Sequence, residues 1–434
     1  MRAILLASLA AMAGAGPDGA DAPTDDPALI AFGSCAKSAS PQAALWGNVL
    51  AQRPSSWLWT GDAAYSKEGD VQSQRAALRA QLVIPGYARL LDSGAAVHGV
   101  FDDHDFGVND GGRHVPDGPA RRASWREFLG RADGEECRDD APVYYAYTEI
   151  DPSTGIRVRV IVLDTRSYRD SHVIPSIGAW RPYGALLAAG IRWASTAVGM
   201  EATHEGDILG EAQWRFLESE LARADTAFTV VVSSVQVLTL NPVLEGWMHF
   251  PRARSRLLRA LADNRPRGLA LISGDVHFAE LLRYPPAAAV AGTVDEYVLE
   301  VTSSGLTHTC MGVFAGRACP AILDAYRAHR LTPEATYTGR NYGSLAVRAD
   351  DNDASCGATM AVTVRDADTG TAQLVAERSA CQMSKALAAS LLEAAGAADA
   401  RLGPGARARA WAWAALGDAF TTIANGGPLG AFGL

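Results

Sequence analysis

The stretch WLWTGDAAY, residues Trp57 to Tyr65, changes character in its middle. Trp57 to Thr60 is bulky and apolar, which suits a buried strand. Gly61, Asp62 and Tyr65 follow at once, so the strand ends in a turn that presents an acid and a phenol. The same pattern recurs along the chain. VHGV runs into FDDHDFGVND, residues Phe101 to Asp110, and VIVL into DTRSYRD, residues Asp164 to Asp170. VVV runs into SSVQ, and LALI into SGDVH, ending at His277. One acid after a strand is usually a helix cap or a turn residue. Five such loops together are a different matter, because ligands of α/β sheets bind outside the carboxyl ends of the strands.

Between these runs lie helical patterns. Leu29 to Gly33 reads as a strand and Gln42 to Ala51 as a helix. Val71 to Leu91 reads as a long helical stretch that Pro85 interrupts, because proline lacks the N–H a helix interior needs. Ala96 to Phe101 and Arg157 to Leu163 are predicted strands. Glu211 to Ala224 is a predicted helix with Trp214, Leu217 and Leu221 on its core face. Thr229 to Ser233, Gly268 to Ile272 and Glu296 to Thr302 are further strands, and Tyr342 to Glu377 reads as strands only. A βα rhythm closing in β-strands predicts an α/β layered fold.

At 434 residues the chain can bury a large core, and 48% apolar residues is ordinary for a globular protein. A net charge of -9 speaks against a nucleic-acid platform. The first residues, MRAILLASLAAMAGAG, carry one Arg, a short apolar core and small residues, the layout of a signal peptide over residues 1–15. Residues 16–28 read as a flexible leader, 29–380 as the folded domain and 381–434 as an Ala-rich extension, either an added outer helix or a tail. No transmembrane segment is evident elsewhere. The expected location is therefore outside the cell or at its surface, where disulfides persist. Cys310 with Cys319 is the first expected pair and Cys356 with Cys381 the second. Residues 172–210 show little periodicity and suit a lid over the site.

Cys35, placed directly after the apolar run LIAFGS, joins Asp62, Tyr65, Asp103, Asp275 and His277 as candidate ligands. Carboxylates alone suit Ca²⁺ or Mg²⁺. A thiolate beside a phenolate favours Fe³⁺ or Zn²⁺. Two kinds of ion would fit the mixture, and a pair of ions can clamp a phosphoryl group and activate a water or hydroxide.

The segments FGSC, TGDAAY, DDHDFGVND, LDTRSYR, LGEAQWRFLESEL and SGDVHFAEL resemble, in order and spacing, the PhoD-like alkaline phosphatases, a branch of the calcineurin-like metallophosphoesterases. The resemblance covers about residues 29 to 380. It implies a four-layer sandwich, two mixed β-sheets flanked by helices, and a centre of Fe³⁺ and Ca²⁺ that cleaves phosphomonoesters and phosphodiesters. It implies that Cys35 and Tyr65 bind iron and that Asp62 bridges the metals. Asp103 stands where other members of the superfamily place a metal-binding asparagine. His104 stands where they place a histidine that assists the leaving group. Asn109 resembles the asparagine that contacts phosphate and metal. Asp275 and His277 replace a two-histidine motif.

The chain departs from the pattern at Ala63, where some relatives carry an arginine that holds phosphate. Arg166 or Arg113 could supply a guanidinium instead. The fourth motif position of the wider superfamily also lacks its Asp. Asp164 is read as a partner that orients Arg166, and His98 and His249 as structural. His308 either lines the site or caps a turn and is not counted among the candidates. The expected substrates are small or polymeric phosphate esters, and the expected state is a monomer. Two other readings compete: a phosphodiesterase or phospholipase D-like hydrolase on the same fold, and a calcium-binding protein without catalysis.

Overall fold

The computed structural model describes residues 28–66, 69–130, 142–177, 183–286, 296–313, 318–350 and 356–400. The expected signal peptide, most of the leader and the end of the Ala-rich extension lie outside these residues, as does Cys137.

Among the described residues the strands are β1 (Ile30–Gly33), β2 (Ser56–Thr60), β3 (Ala96–Val100), β4 (Tyr145–Ile150), β5 (Arg157–Val162), β6 (Phe228–Val232), β7 (Ala270–Ser273), β8 (Ala279–Tyr284), β9 (Val298–Ser303), β10 (Thr336–Tyr337), β11 (Asn341–Ala349), β12 (Ala358–Asp366) and β13 (Ala372–Ser379). They form two sheets. One has the order β13-β12-β11-β1-β2-β3, the other β10-β8-β9-β7-β6-β5-β4. Each is mixed. β1, β2 and β3 are parallel, and β11 joins β1 antiparallel. β5, β6, β7 and β9 are parallel, with β4 and β8 antiparallel at the flanks.

Side-chain alternation along the strands explains the layers, because neighbouring residues point to opposite faces of a sheet. Ile30, Phe32 and Leu58 of one sheet pack against Val158, Val160, Val162, Val230 and Ile272 of the other. Ala31, Trp57 and Trp59 point outward onto the helices Ala43–Ala51, Pro85–Asp92 and Gly118–Phe128. Ile161, Val231 and Leu271 point outward onto Gly210–Leu221, Pro251–Asn264 and Lys385–Ala400. The result is helix, sheet, sheet, helix. A central strand buried on both faces is apolar along its middle, which is why β2 reads as SWLWT rather than as an alternation.

The outer face of the first sheet carries an aromatic cluster. The Trp46 ring lies 4.9 Å from Trp57 and 4.9 Å from Tyr87, and Trp59 Nε1 donates to Tyr87 Oη across 3.0 Å. This packing anchors β2, whose end carries Asp62 and Tyr65.

Pro85 divides the long helical stretch as expected, into Val71–Leu82 and Pro85–Asp92. Residues 172–210 are more regular than their sequence suggested, since they contain the helix Gly184–Ala197. Its composition is apolar on nearly every side, so no amphipathic contrast marks it. Leu186, Leu187 and Trp193 are exposed there, while Arg192 on the same helix is buried. The helix Lys385–Ala400 packs Leu387, Leu391 and Ala395 into the second core, so this part of the extension is an outer helix. Both expected disulfides are present, Cys310–Cys319 and Cys356–Cys381, and Cys35 is a free, buried thiol.

Candidate metal centre

The parallel strands of the two sheets bring their carboxyl ends together. Ser234, after β6, donates to Asp102, after β3, and Arg166, after β5, donates to the same carboxylate across 2.5 Å. The Cys35 thiol, after β1, meets the Asp275 carbonyl, after β7, at 3.7 Å. Such loops need unusual backbone. Cys35, Asp62, Asp110, Asp275 and His277 all adopt positive φ, between 51° and 72°. Side chains other than glycine rarely hold this conformation, and it clusters at functional sites. Gly61 is required here for a second reason: a Cβ on it would stand 2.5 Å from Asp102 Cβ.

Asp62 is the hub. Its Oδ2 accepts the Tyr65 hydroxyl at 2.8 Å and lies 3.7 Å from Cys35 Sγ. Its Oδ1 accepts the His104 N–H at 3.3 Å. Asp62, Asp103 and His104 bring ligand atoms within 4.8 Å of one another, as do Asp102, Asp103 and Asp275, and Asp103, Asp110 and Glu245. Cys35 and Tyr65 thus meet one oxygen of Asp62, the backbone of the acidic loop meets the other, and the Asp103 carboxylate lies close by. Asp275 joins through Asp103. His277 sits nearer the thiol. Its N–H donates to Ser304 Oγ at 3.0 Å, and Ser304 Oγ lies 3.1 Å from Cys35 Sγ.

Asp105 has a different task. It accepts from the backbone N–H groups of Ala63, Ala64 and Asp102 and so fixes the turn that carries Asp62. Asn109 lines a small adjoining pocket with Asp110, Gly112, Arg169, His172 and Ser176.

Seven acidic side chains, Asp62, Asp102, Asp103, Asp105, Asp110, Asp275 and Glu245, face three guanidiniums, Arg166, Arg169 and Arg192. Burial, and then Asp103, pushes Asp62 well above its ordinary range. Burial, and then Asp102, does the same to Asp275. Burial, and then Asp62, raises both Cys35 and Tyr65. Burial pushes His277 down to about 3. Burial drives each of these groups toward its neutral form, and neighbouring carboxylates raise the acidic ones further. Buried Asp102 Oδ2, Asp103 Oδ1 and His277 Nδ1 also have no hydrogen-bond partner among the described residues. Orphaned acceptors in an acid-rich, partly soft donor set fit cations.

Arg166, expected at the substrate, lies fully buried between Asp102 and Glu245, with only Nη2 lacking a partner. Asp164 does not pair with its guanidinium. Its carboxylate instead accepts the backbone N–H groups of Arg166 and Ser167, closing the turn. Arg113 is half-exposed and pairs with Asp170 at 2.7 Å. Residues absent from the expected set are Glu245, Arg169, Arg192 and Ser304; Arg169 ends the LDTRSYR segment, and the other three lie in none of the quoted segments. His308 is close, its ring 4.5 Å from His277 and 5.2 Å from Tyr65.

The model of the PhoD-like phosphatase family matches residues 138–356, half of the chain. A comparison with curated proteins finds no match. A solved structure of PhoD aligns with a TM-score of 0.51 at 15% identity, covering 88% of this chain and 78% of that one. A purple acid phosphatase, PPD1 from yellow lupin (Lupinus luteus) seeds, aligns with a TM-score of 0.48 at 11% identity, over 83% of this chain and 54% of that one. The structural likeness supports the layered fold, and the family match carries the assignment: the chain belongs to the PhoD-like phosphatases, hydrolases that act on phosphoric esters.

Proposed function

We propose that the chain is an exported, metal-dependent phosphatase that releases phosphate from phosphomonoesters, with Fe³⁺ and Ca²⁺ as its ions. The observation that carries this reading is the position of Asp62, touched by a thiol and a phenol on one carboxylate oxygen and by the acidic loop on the other. Cys35 and Tyr65 suit the harder-to-displace ferric ion, and Asp103 and Asp275 suit calcium. His277 is proposed as a ligand through Nδ1, the buried ring nitrogen without a partner. When bound, such ions neutralise developing charge and lower the pKa of water. A trivalent and a divalent ion would also offset most of the acidic excess.

The chain's own residues do the rest. Asp105 holds the Asp62 turn rigid. Arg166 and Glu245 fix Asp102 and, through it, the acidic loop. His104, its ring 4.3 Å from Tyr65 at the partly open side, is the proposed donor to the leaving oxygen. Asn109 is the proposed neutral contact to the phosphoryl group. Two disulfides support export, because such bonds persist in oxidising compartments. No helix among the described residues is long and apolar enough to cross a membrane.

Metal analysis of the purified chain tests the reading, together with turnover of an aryl phosphomonoester before and after calcium chelation. Iron and calcium should be found, and chelation should abolish turnover until calcium is returned. Turnover that survives complete removal of calcium rejects the mixed-metal centre.

A further inference from the structure

The site as described has a gap in its recognition of substrate. A phosphomonoester dianion brings further negative charge to an already acidic cluster. The guanidiniums nearby are committed: Arg166 to Asp102 and Glu245, Arg169 to Glu245, Arg192 to Asp110, and Arg113 to Asp170. Ala63 occupies the position after Asp62 and offers no charge.

One cation stands outside these pairs. Lys37 lies two residues after Cys35, is exposed, and places its Nζ 5.2 Å from the centre of the Tyr65 ring. No acidic side chain among the described residues pairs with it. Its base is firmly held. The Lys37 N–H donates to Thr307 Oγ1 at 2.9 Å, and that hydroxyl lies 3.1 Å from the Cys35 carbonyl and 3.1 Å from His308 Nδ1. Lys37 therefore stands on the rim formed by Tyr65, His104 and His308, on the turn that also carries the thiol. Its stem is flexible and its head is a compact, hydrated charge. An exposed cation–π contact is weak, so an arriving phosphoryl oxygen can displace it.

We propose that Lys37 is the cation that recognises the dianionic phosphoryl group, and that it favours phosphomonoesters over phosphodiesters at this site. The inference rests on the phosphatase reading of the same centre. A monoester presents one more unesterified, charged oxygen than a diester, and that oxygen is the one an unpaired ammonium discriminates.

The test uses the full, metal-loaded chain with Lys37→Met and Lys37→Arg. Steady-state constants are measured on an aryl phosphomonoester and a bis-aryl phosphodiester, with inorganic phosphate as a competing ligand. Lys37→Met should raise the monoester KM and the phosphate Ki by roughly tenfold, with a smaller change in kcat. The diester KM should rise by less, so the monoester-to-diester ratio of kcat/KM falls. Lys37→Arg should restore most of that ratio, and iron and calcium contents should match the unmodified chain. An unchanged ratio in Lys37→Met, or loss of metal with it, overturns the assignment of Lys37 while leaving the phosphatase reading intact. An unmodified chain that carries its metals and cleaves neither ester overturns that reading and the inference together.

Discussion

The Tyr65 hydroxyl donates to Oδ2 of Asp62 across 2.8 Å. The donor is three residues from its acceptor on the same turn, and the turn is fixed from outside by Asp105. A phenol held in this way beside a buried thiol can become a phenolate only if a strong Lewis acid replaces the proton. Tyr65→Phe should therefore remove visible charge-transfer absorption from the iron-loaded chain and leave its far-ultraviolet circular dichroism unchanged. A band that persists at full intensity in Tyr65→Phe rejects Tyr65 as an iron ligand.

His104 follows Asp103 in sequence but has a different place, with its ring against Tyr65 and its N–H on Asp62. As the donor to the leaving oxygen it should contribute roughly 10²–10⁴-fold, the usual range for general acid catalysis. His104→Ala should lower kcat on an alkyl phosphate by that order, with metal content kept. The loss should shrink on an aryl phosphate, whose leaving group needs little protonation. Equal losses on both substrates would exclude the proton-donor role.

Glu245 is buried with Arg166 and Arg169 at 2.8 and 3.1 Å. Those guanidiniums draw it well below the ordinary carboxylate range despite its burial. Removing one partner of a buried ion pair leaves an uncompensated charge, at a cost of roughly 3–5 kcal/mol. Glu245→Ala should shift the denaturant midpoint accordingly, and Glu245→Gln, which keeps the shape, should shift it less. A midpoint within error of the unmodified chain for both variants would show that Glu245 does not hold this corner together.

Burial is the main cause that raises Asp102 to about 6 and Asp105 to about 8, from an ordinary 3.8. Asp62 and Asp275 move the same way. With folded values above unfolded ones, the folded chain holds more protons through this window. The stability this confers is complete below pH 3.8 and is lost as pH rises through about 6 and then about 8. Metal-stripped protein should consequently lose Tm as pH rises from about 4 to about 8, whereas the loaded protein should lose less because cations replace the protons. Parallel melting curves for the two forms across that range would contradict a shared site for protons and metal.

Much of this architecture was legible in the chain. β1, β2, β6 and β7 are buried on both faces, and β5 is over its last three residues, so their apolar runs stand out, and the acids that follow β2, β5 and β7 mark the site. The elements that escaped have weaker contrast. β4, YAYTEI, is half-buried and polar, and β8, AELLRY, interrupts its apolar residues with a glutamate and an arginine. Asp105 and Asp110 were visible within the acidic loop, but nothing local separates a turn-fixing acid from a ligand. Glu245 and Arg192 reach the centre from distant segments, and only the packing of Gly184–Ala197 and of the loop after β6 brings them there. Arg166 had the right loop and the wrong partner, because its guanidinium turns inward to Asp102 across the gap between the sheets.

β1 lies between β2, its near neighbour in sequence, and β11, which belongs to the far end of the domain. Ile30 is level with Ser56 on one side and with Leu345 on the other. The strand that delivers Cys35 is thus incomplete until the last part of the chain is available. A polypeptide still emerging from the ribosome cannot close this sheet, because the pairing joins distant segments and bears the full loop-closure cost. The turn that carries Cys35 is then completed late, only once β11 has been made and has reached β1.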